Sequence, residues 1–261
     1  MKNRERERAL STEEATFHDT YYSREKHSAI SWLQKWVLSL SPTMPSRFNE
    51  TLEALGQVSG KSICEIGCGE GEITKVLASR GAFVSASDIS SEAVKRARKN
   101  NAEFIPKQVD VQEMDACNLL YKEESFDFVV GGGVLHHIDI NKASREISRV
   151  LKSGGKAVFV EPLAHNPISN IWRRLTPSAR TSNEWPLSYS EISEMGKHFS
   201  SVKYQEFALL TLLSSFVYLI THSHKAKKKS TEILDKLDHV VLKVCKPLRR
   251  YSGAILIQFT K

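Results

Sequence analysis

A glycine-rich segment with an acidic neighbour is the first place in this sequence where chemistry is expected. It contains Glu65, Gly67, Gly69 and Gly71, after an apolar run and before a stretch with helical spacing. Glycine permits a tight turn and lets a ligand approach the backbone, and the helix that follows offers unpaired N–H groups. The dinucleotide pattern G-x-G-x-x-G would require a glycine at position 72, which is Glu72. The spacing G-x-G-x-G therefore favours a different ligand.

Further acids end the next two predicted strands. Asp88, followed by Ile89, ends the second strand, where a carboxylate can accept two hydrogen bonds from a vicinal diol. Asp115 and Ala116 end the third strand, twelve residues before Asp127 of a Ser-Phe-Asp triplet. Each of these acids alone is a common turn residue. They indicate a ligand site only because they occur together with the glycine-rich segment.

These segments together resemble the class I S-adenosylmethionine-dependent methyltransferases, over about residues 61–162. The resemblance implies methyl transfer with S-adenosyl-L-methionine as the cofactor. It also implies that Asp88 binds the ribose hydroxyls and that Asp115 binds the adenine amino group. The cofactor-binding residues that it implies are Glu65, Gly67, Gly69, Gly71, Asp88, Ile89, Asp115, Ala116 and Gly131.

A second resemblance concerns the acceptor. The Leu-His-His segment at 135–137, the Leu-Lys-Ser-Gly-Gly turn at 151–155 and the Glu-Pro pair at 161–162 are similar to the ubiquinone and menaquinone biosynthesis type. This type implies a small, hydrophobic or lipid-linked acceptor. The glycine run at 131–133 departs from the family, which usually has bulkier residues there.

Polar residues after strands four and five are candidates for catalysis and for acceptor binding. His165 and His136 are the candidate general bases, because the pKa of histidine lies near neutral pH. Glu161, Asn166 and Arg174 are the candidate acceptor-binding residues. The alternatives stay open: His165 can be a solvated loop histidine, His136 can pack in the turn, and Arg174 can be a surface charge.

Alternating apolar runs and helical stretches from Lys61 onward predict an α/β fold with a doubly wound, seven-stranded, mostly parallel sheet. Residues 1–24 are predicted to be a flexible, frayed or partly helical leader and 25–56 an N-terminal helical cap. Residues 57–261 form the predicted methyltransferase domain, with a helical insertion at about 212–250 between strands six and seven. The predicted strands are 62–66, 83–87, 109–114, 126–130, 156–160, 202–210 and 254–259.

The C-terminal part of the chain, which includes most of the insertion, carries the net positive charge. Positions 221–261 hold ten Lys or Arg and three Asp or Glu, a surplus equal to the net charge of +7. An apolar run at 207–220, too short to span a bilayer, precedes a lysine cluster at 225–229. One predicted helical stripe follows, made of Ile233, Leu234, Leu237, Val240, Val241, Val244 and Leu248. Such a basic amphipathic helix predicts either contact with a membrane surface or a lid packed on the domain.

Composition narrows the remaining possibilities. The N-terminus lacks the apolar segment of a secretory signal, and the four cysteines form no C-x-x-C pair. We therefore expect a cytoplasmic protein with a small-molecule acceptor, peripheral contact with a membrane surface, no metal site and no nucleic acid. Three alternatives remain: a methyltransferase of a soluble natural product or sugar, an RNA methyltransferase, which lacks support from stacking aromatic residues, and a non-catalytic S-adenosylmethionine-binding protein.

Overall fold

The computed structural model describes residues 2–23, 48–175 and 185–261. The N-terminal part has helices α1 (Lys2–Ser23) and α2 (Phe48–Leu55). Most of the predicted helical cap, residues 25–47, lies outside the described residues. The elements that follow are β1 (Ser62–Ile66), α3 (Glu72–Ser79), β2 (Phe83–Asp88), α4 (Ser91–Asn100), β3 (Val109–Glu113), β4 (Phe126–Gly132), α5 (Ile140–Val150), β5 (Leu151–Pro162), α6 (Pro167–Leu175), α7 (Tyr189–Gly196), β6 (Ser201–Phe207), α8 (Ser214–Thr221), α9 (His224–Val244) and β7 (Ala254–Thr260).

The seven strands form one sheet in the order β3-β2-β1-β4-β5-β7-β6. Strand β7 runs antiparallel to β5 and β6, and the other neighbouring pairs are parallel. This confirms the predicted fold class. Strand order reverses at β1, where Ile66 is in register with Ser87 of β2 and Gly131 of β4. The carboxyl ends of three strands therefore open on one crevice, where doubly wound folds bind their ligands.

Apolar side chains cover both faces of the sheet. Ile63 and Cys64 of β1 are fully buried on opposite faces, because successive side chains of a strand alternate. Ile147 and Val150 of α5 pack against the face that holds Cys64. The strands thus read as continuous apolar runs, as expected for a sheet covered on both sides.

The predicted boundaries of helices and strands agree best with the structure where a local sequence signal determines them. Helix α4 has the predicted bounds, and the Ser90 hydroxyl accepts a hydrogen bond from Ala93 N at its start. Strand β5 is longer than predicted because its pairing with β4 shifts between Phe126 and Phe128. The predicted turn at Ser153–Gly155 is therefore an irregular part of the strand, a feature set by pairing and not by local sequence.

The N-terminal leader is more ordered than predicted, since residues 2–23 form one continuous helix docked on the domain. Its sequence has no apolar stripe, which is why periodicity indicated a flexible segment. Polar contacts to α4 hold it, and such contacts between residues about 70 positions apart leave no local pattern.

The structure distinguishes between the two predicted arrangements of helix α9, an outward-facing apolar stripe and a stripe packed on the domain. Its inward-facing residues are Lys227, Thr231, Asp238 and Leu242, whereas Ile233, Leu237, Val240 and Val244 are 48–81% exposed. The Asp238 carboxylate accepts hydrogen bonds from the backbone N–H groups of Leu210 and Thr211, at 2.6 and 3.1 Å. These bonds fix the polar side of the helix inward, so these four residues of the apolar stripe face outward, while Leu234, Val241 and Leu248 are half-buried.

Candidate active site

The loop between β1 and α3 needs its glycines for conformation and for space. Gly67, Gly69 and Gly71 have φ angles of 67°, 53° and 77°, which favour glycine. A Cβ atom on Gly67 would lie 2.7 Å from Val134, and one on Gly71 would overlap the side-chain amide of Asn101. The loop can therefore follow this path only with glycine at these positions.

Asp88, at the carboxyl end of β2, braces this loop. One carboxylate oxygen accepts a hydrogen bond from Gly69 N at 2.8 Å, and the other accepts one from Ser90 N at 2.9 Å. The side chain also lines a cavity at the carboxyl edge of the sheet. Asp88 thus links the glycine loop, the start of α4 and the cavity.

The cavity has a volume of about 1120 Å³ and lies at the predicted ligand crevice. The predicted cofactor-binding residues that line it are Gly67, Asp88, Ile89, Asp115 and Ala116. The Asp115 carboxylate accepts hydrogen bonds from Cys117 N at 2.8 Å and from the Ser11 hydroxyl at 3.3 Å. The structure thus places these five predicted residues, from three different loops, in the lining of one cavity.

Gly131 does not line the cavity, although it was among the predicted cofactor-binding residues. A Cβ atom there would lie 2.8 Å from the Phe159 ring and 2.9 Å from the carbonyl of Ile66. Gly131 therefore allows close packing inside β4, and its neighbours Gly132 and Gly133 line the cavity instead. Gly69 and Gly71 also lie outside the cavity lining, and they determine the path of the loop.

Glu65 is fully buried behind the loop and does not line the cavity. The Thr74 hydroxyl of α3 donates a hydrogen bond to its carboxyl group. Burial raises the pKa of Glu65 to about 8, outweighing the opposite effect of that hydrogen bond. At neutral pH the group is mostly protonated, and its hydrogen bond with Thr74 joins β1 to α3.

Helix α1 forms one wall of the cavity. Asp19 accepts hydrogen bonds from the Ser90 hydroxyl at 2.6 Å and from Glu92 N at 3.1 Å, at the N-terminus of α4. The Ser90 hydrogen bond lowers the pKa of Asp19, and the helix dipole favours its negative charge. The Tyr22 hydroxyl lies over Gly69, where it would meet a Cβ atom at 2.8 Å.

His136 and Glu161, both singled out from the sequence, bond to each other. His136 Nδ1 lies 2.7 Å from Glu161 Oε2, and Glu161 Oε1 accepts hydrogen bonds from the N–H groups of Val134 and Leu135. Glu161 is fully buried and neither residue lines the cavity. The pair holds the turn after β4 in place, and its predicted roles in catalysis and acceptor binding stay a prediction.

The other candidates after β5 also lie away from the cavity lining. His165 is exposed and stacks on Tyr189, with ring centroids 6.3 Å apart. Asn166 is buried, and its side chain bonds Ser169 N and the carbonyl of Tyr251. Arg174 is an exposed residue of α6. The carboxyl end of one strand does not by itself bring a following loop over the ligand.

The cavity contains polar residues that sequence reasoning missed. His137 Nδ1 lies 2.6 Å from Glu14 Oε1, and both residues line the cavity together with His18. Glu14 and His18 are four positions apart on α1, a spacing that places them on one helix face. That spacing is a signal in the sequence, but it indicates a shared face only if the leader is helical.

A family model described as methyltransferase domain matches residues 64–159, which covers the glycine loop, Asp88 and Asp115. The ubiquinone biosynthesis O-methyltransferase of Alkalilimnicola ehrlichii is 29% identical over 171 residues, 63% of this chain and 67% of that protein. The demethylmenaquinone methyltransferase of Thermobifida fusca is 28% identical over 153 residues, 55% of this chain and 64% of that protein. The chain thus matches about two thirds of each of these relatives.

Solved structures show the same fold at low identity. The geranyl diphosphate C-methyltransferase of Streptomyces coelicolor, solved with Mg²⁺, geranyl diphosphate and S-adenosyl-L-homocysteine, superimposes with a TM-score of 0.64 at 14% identity. The alignment covers 96% of this chain and 97% of that structure. Similarity therefore extends over the sheet and its helices, beyond the part of the chain that the family model matches.

Proposed function

This chain contains an S-adenosylmethionine-dependent methyltransferase domain, and we propose that it methylates a small, apolar or lipid-linked acceptor. The cavity carries this proposal. Its volume of about 1120 Å³ exceeds the roughly 300–1,000 Å³ typical of a site for one ligand. Its lining combines the acids Asp88 and Asp115 with the apolar side chains of Met114, Val134 and Ile138. There is room for the donor and for an apolar acceptor together.

S-adenosylmethionine supplies an electrophilic methyl group when it is bound. In the proposed mechanism, Asp88 accepts hydrogen bonds from the ribose hydroxyls and Asp115 accepts one from the adenine amino group. The glycine loop brings backbone N–H groups close to the ligand. Most of the acceleration then comes from holding donor and acceptor in line and excluding water, and α1 contributes by forming one wall of the cavity.

The relatives support an apolar acceptor. Curated proteins similar to this chain are named for ubiquinone and demethylmenaquinone biosynthesis. The matched part of the chain includes the cavity residues on β1, β2 and β4. We therefore propose an acceptor of comparable chemistry, a small ring or chain with apolar substituents.

We further propose that α9 contacts an anionic membrane surface, from which such an acceptor can be taken up. Ile233, Leu237, Val240 and Val244 form one exposed stripe along the helix. Lysines at spacings of four and seven residues lie along one edge of this stripe: Lys225, Lys229, Lys236 and Lys243. None of the helices that the structure describes is both long and apolar enough to cross a bilayer. An amphipathic helix of this composition suits the interface, where lysines meet lipid phosphates.

The alternative of a lid over a soluble acceptor requires the apolar stripe to pack on the domain. The outward orientation of Ile233, Leu237, Val240 and Val244 disfavours that arrangement. The lysines of the basic surplus lie beside this stripe, and in the sequence no array of stacking aromatic residues accompanies them, which disfavours RNA as the acceptor. Membrane contact therefore accounts for both the charge and the exposed apolar side chains of α9.

The proposed function can be tested with methyl-labelled S-adenosylmethionine. The purified chain is incubated with a lipid extract of cells or with a water-soluble extract of the same cells. We expect protein-dependent transfer of label to a lipid-extractable product. Label found only in water-soluble products would contradict the apolar acceptor, and calorimetric binding of S-adenosylmethionine without any transfer would contradict catalysis.

A further inference from the structure

A cluster of metal-ligating side chains lies in the wall of the cavity, where the sequence alone predicted no metal site. Glu14, His18 and His137 each offer one ligand atom, and these atoms lie within 4.8 Å of one another. All three residues line the cavity. Two distant parts of the chain meet there, because His137 follows β4 and lies 123 positions after Glu14.

The local structure explains why these side chains converge. Glu14 and His18 are four residues apart on α1, so they project from the same face of the helix. The contacts of Asp19 with Ser90 and Glu92 dock that helix against the domain. His137 lies in the short 3-10 turn after β4, which Glu161 anchors through Val134 N and Leu135 N. Both elements are thus held in place by residues outside the cluster.

The distances fit a chelating site. His137 Nδ1 and Glu14 Oε1 are 2.6 Å apart, and the rings of His18 and His137 have centroids 5.4 Å apart. Metal–ligand bonds of about 2.0–2.2 Å place neighbouring ligand atoms roughly 3–4 Å apart. Small side-chain adjustments therefore suffice to bring the three atoms to one ion, which would replace the proton shared by Glu14 and His137.

The donor set selects the kind of ion. Two imidazoles and one carboxylate suit Zn²⁺ and other first-row transition-metal ions, whereas Mg²⁺ and Ca²⁺ prefer oxygen ligands alone. Three protein ligands also leave a coordination position open, as in catalytic zinc sites. The carboxylate of Glu14 is buried, so a cation there gains from a weakly screened negative charge.

The geometry points to a divalent transition-metal site, formed by Glu14, His18 and His137, that faces the cavity. Such an ion has two effects. It ties α1 to the turn after β4 and so closes one wall of the cavity. Its open position can take a hydroxyl oxygen of the acceptor and lower the pKa of that hydroxyl, as zinc does for bound water.

The second effect rests on the proposed function, whereas metal binding itself does not. In the transfer step the bound hydroxyl loses its proton to solvent, and its oxygen forms a bond to the methyl carbon. The carbon–sulfur bond breaks with its electron pair going to sulfur, which leaves S-adenosylhomocysteine and the methyl ether. No oxidant or reductant is required.

The test uses the purified full chain, first stripped with a chelator. Zn²⁺ affinity is measured by competition with a chromophoric chelator, and Co²⁺ is added as a spectroscopic probe of coordination. Three variants remove one ligand each: Glu14→Gln, His18→Gln and His137→Gln. Glu103→Gln and His198→Gln make the same chemical changes at exposed positions outside the cavity and serve as controls.

We expect one equivalent of metal in the wild type and in both controls. Each ligand variant should bind Zn²⁺ at least about 10- to 100-fold more weakly, the loss seen even for indirect partners of metal ligands. The visible absorption of bound Co²⁺ should change with it. If the wild type binds no stoichiometric metal, or if all three variants bind like the controls, the site does not exist.

Two further measurements keep these results interpretable. Thermal unfolding shows whether a variant is folded. His18 and His137 are half-buried whereas Glu14 is buried, so the two histidine variants disturb the structure less than Glu14→Gln. Calorimetric binding of S-adenosylmethionine is measured without metal. A wild type that binds S-adenosylmethionine but no metal would overturn the metal site alone. A wild type that does not bind S-adenosylmethionine would overturn the proposed function.

Discussion

The carboxylate of Asp19 on α1 accepts a hydrogen bond of 2.6 Å from the hydroxyl of Ser90, the residue that caps α4. A second hydrogen bond, from Glu92 N at 3.1 Å, places the same carboxylate at the N-terminus of α4. Ser90 in turn donates its backbone N–H to Asp88. One chain of contacts thus joins the N-terminal helix to the residue proposed to bind ribose.

Asp19→Ala should release α1 from the domain. Hydrogen bonds to charged groups contribute about 1.5–3 kcal/mol, so protease cleavage within α1 should become about 10-fold faster. Limited proteolysis read by mass spectrometry measures this. Asp110→Asn, an exposed change on β3, should leave the rate unchanged. Equal cleavage of α1 in the wild type and in Asp19→Ala would show that this contact does not hold the helix.

The docking of α1 should also depend on pH. The Ser90 hydrogen bond lowers the pKa of Asp19, so the folded state binds this proton less readily than the unfolded chain. The contribution of Asp19 is therefore present above about pH 4 and is lost as the pH falls through the folded pKa. Proteolysis with an acid-active protease at pH 5 and pH 3 should show faster cleavage of α1 at pH 3. The Asp19→Ala variant should lack this part of the change.

Asp88→Ala should weaken S-adenosylmethionine binding by about 1.5–3 kcal/mol, the range for hydrogen bonds to a charged group. Asp88 lines the cavity and also holds Gly69 N, so both the ligand contact and the loop are affected. Calorimetric titration measures the affinity. Asp110→Asn is the control, and an unchanged affinity in Asp88→Ala would remove Asp88 from the cofactor site.

Glu65 should make the protein less stable as the pH rises. Burial raises its pKa to about 8, whereas the unfolded chain releases this proton near pH 4.3. The folded state therefore holds one more proton between these values, and the free energy of unfolding falls as the pH increases. Between pH 5.5 and pH 7.5 this should amount to about 1–3 kcal/mol.

Urea denaturation of the wild type and Glu65→Gln at both pH values measures this effect. The variant should lose that part of the pH dependence, while the exposed Glu103→Gln should keep it. If Glu65→Gln and the wild type share one pH profile, Glu65 is ionised in the folded protein.

Removing four lysines of α9 should release the chain from anionic vesicles. Each lysine near such a surface contributes about 1 kcal/mol, less as salt rises. The variant changes Lys225, Lys229, Lys236 and Lys243 to Gln. A control with the same charge removes exposed lysines elsewhere, at Lys95, Lys99, Lys107 and Lys197. Lys227 is left unchanged, because it is buried against Tyr218.

Flotation with vesicles of phosphatidylglycerol and phosphatidylcholine measures the binding. We expect the wild type and the control variant to float at low salt and the α9 variant to stay at the bottom. S-adenosylmethionine affinity should be the same in all three. A wild type that fails to float at low salt would end the membrane proposal.

Asp238→Ala should destabilise the protein by about 3 kcal/mol, because it leaves the part-buried N–H group of Leu210 and the buried N–H group of Thr211 without their acceptor. Val240→Ala, on the exposed stripe, should change the free energy of unfolding by less than about 0.5 kcal/mol. Urea denaturation compares the two. The reverse order would mean that the apolar stripe packs on the domain and that α9 is a lid.

Much of the fold followed from local signals. The alternation of buried strands with amphipathic helices indicated the mostly parallel sheet, and Ser90 marked the start of α4. The glycine loop with Asp88 and Asp115 indicated a ligand site, because parallel strands end at one edge of the sheet. These features depend on neighbours within a few residues, or on the general geometry of parallel strands.

The sheet, the glycine loop and the acids at the edge of the sheet could be predicted from the sequence, since spacing and residue type suffice for those features. Tertiary structure alone decided which nearby side chains reach the cavity. His136 points to Glu161, His165 stacks on Tyr189, and His137 faces the cavity beside Glu14. It also decided the face of α9, because the hydrogen bonds of Asp238 to Leu210 and Thr211 outweigh the burial of an apolar stripe. Contacts between residues 24 or more positions apart leave no periodic pattern in the sequence, so only the folded structure shows them.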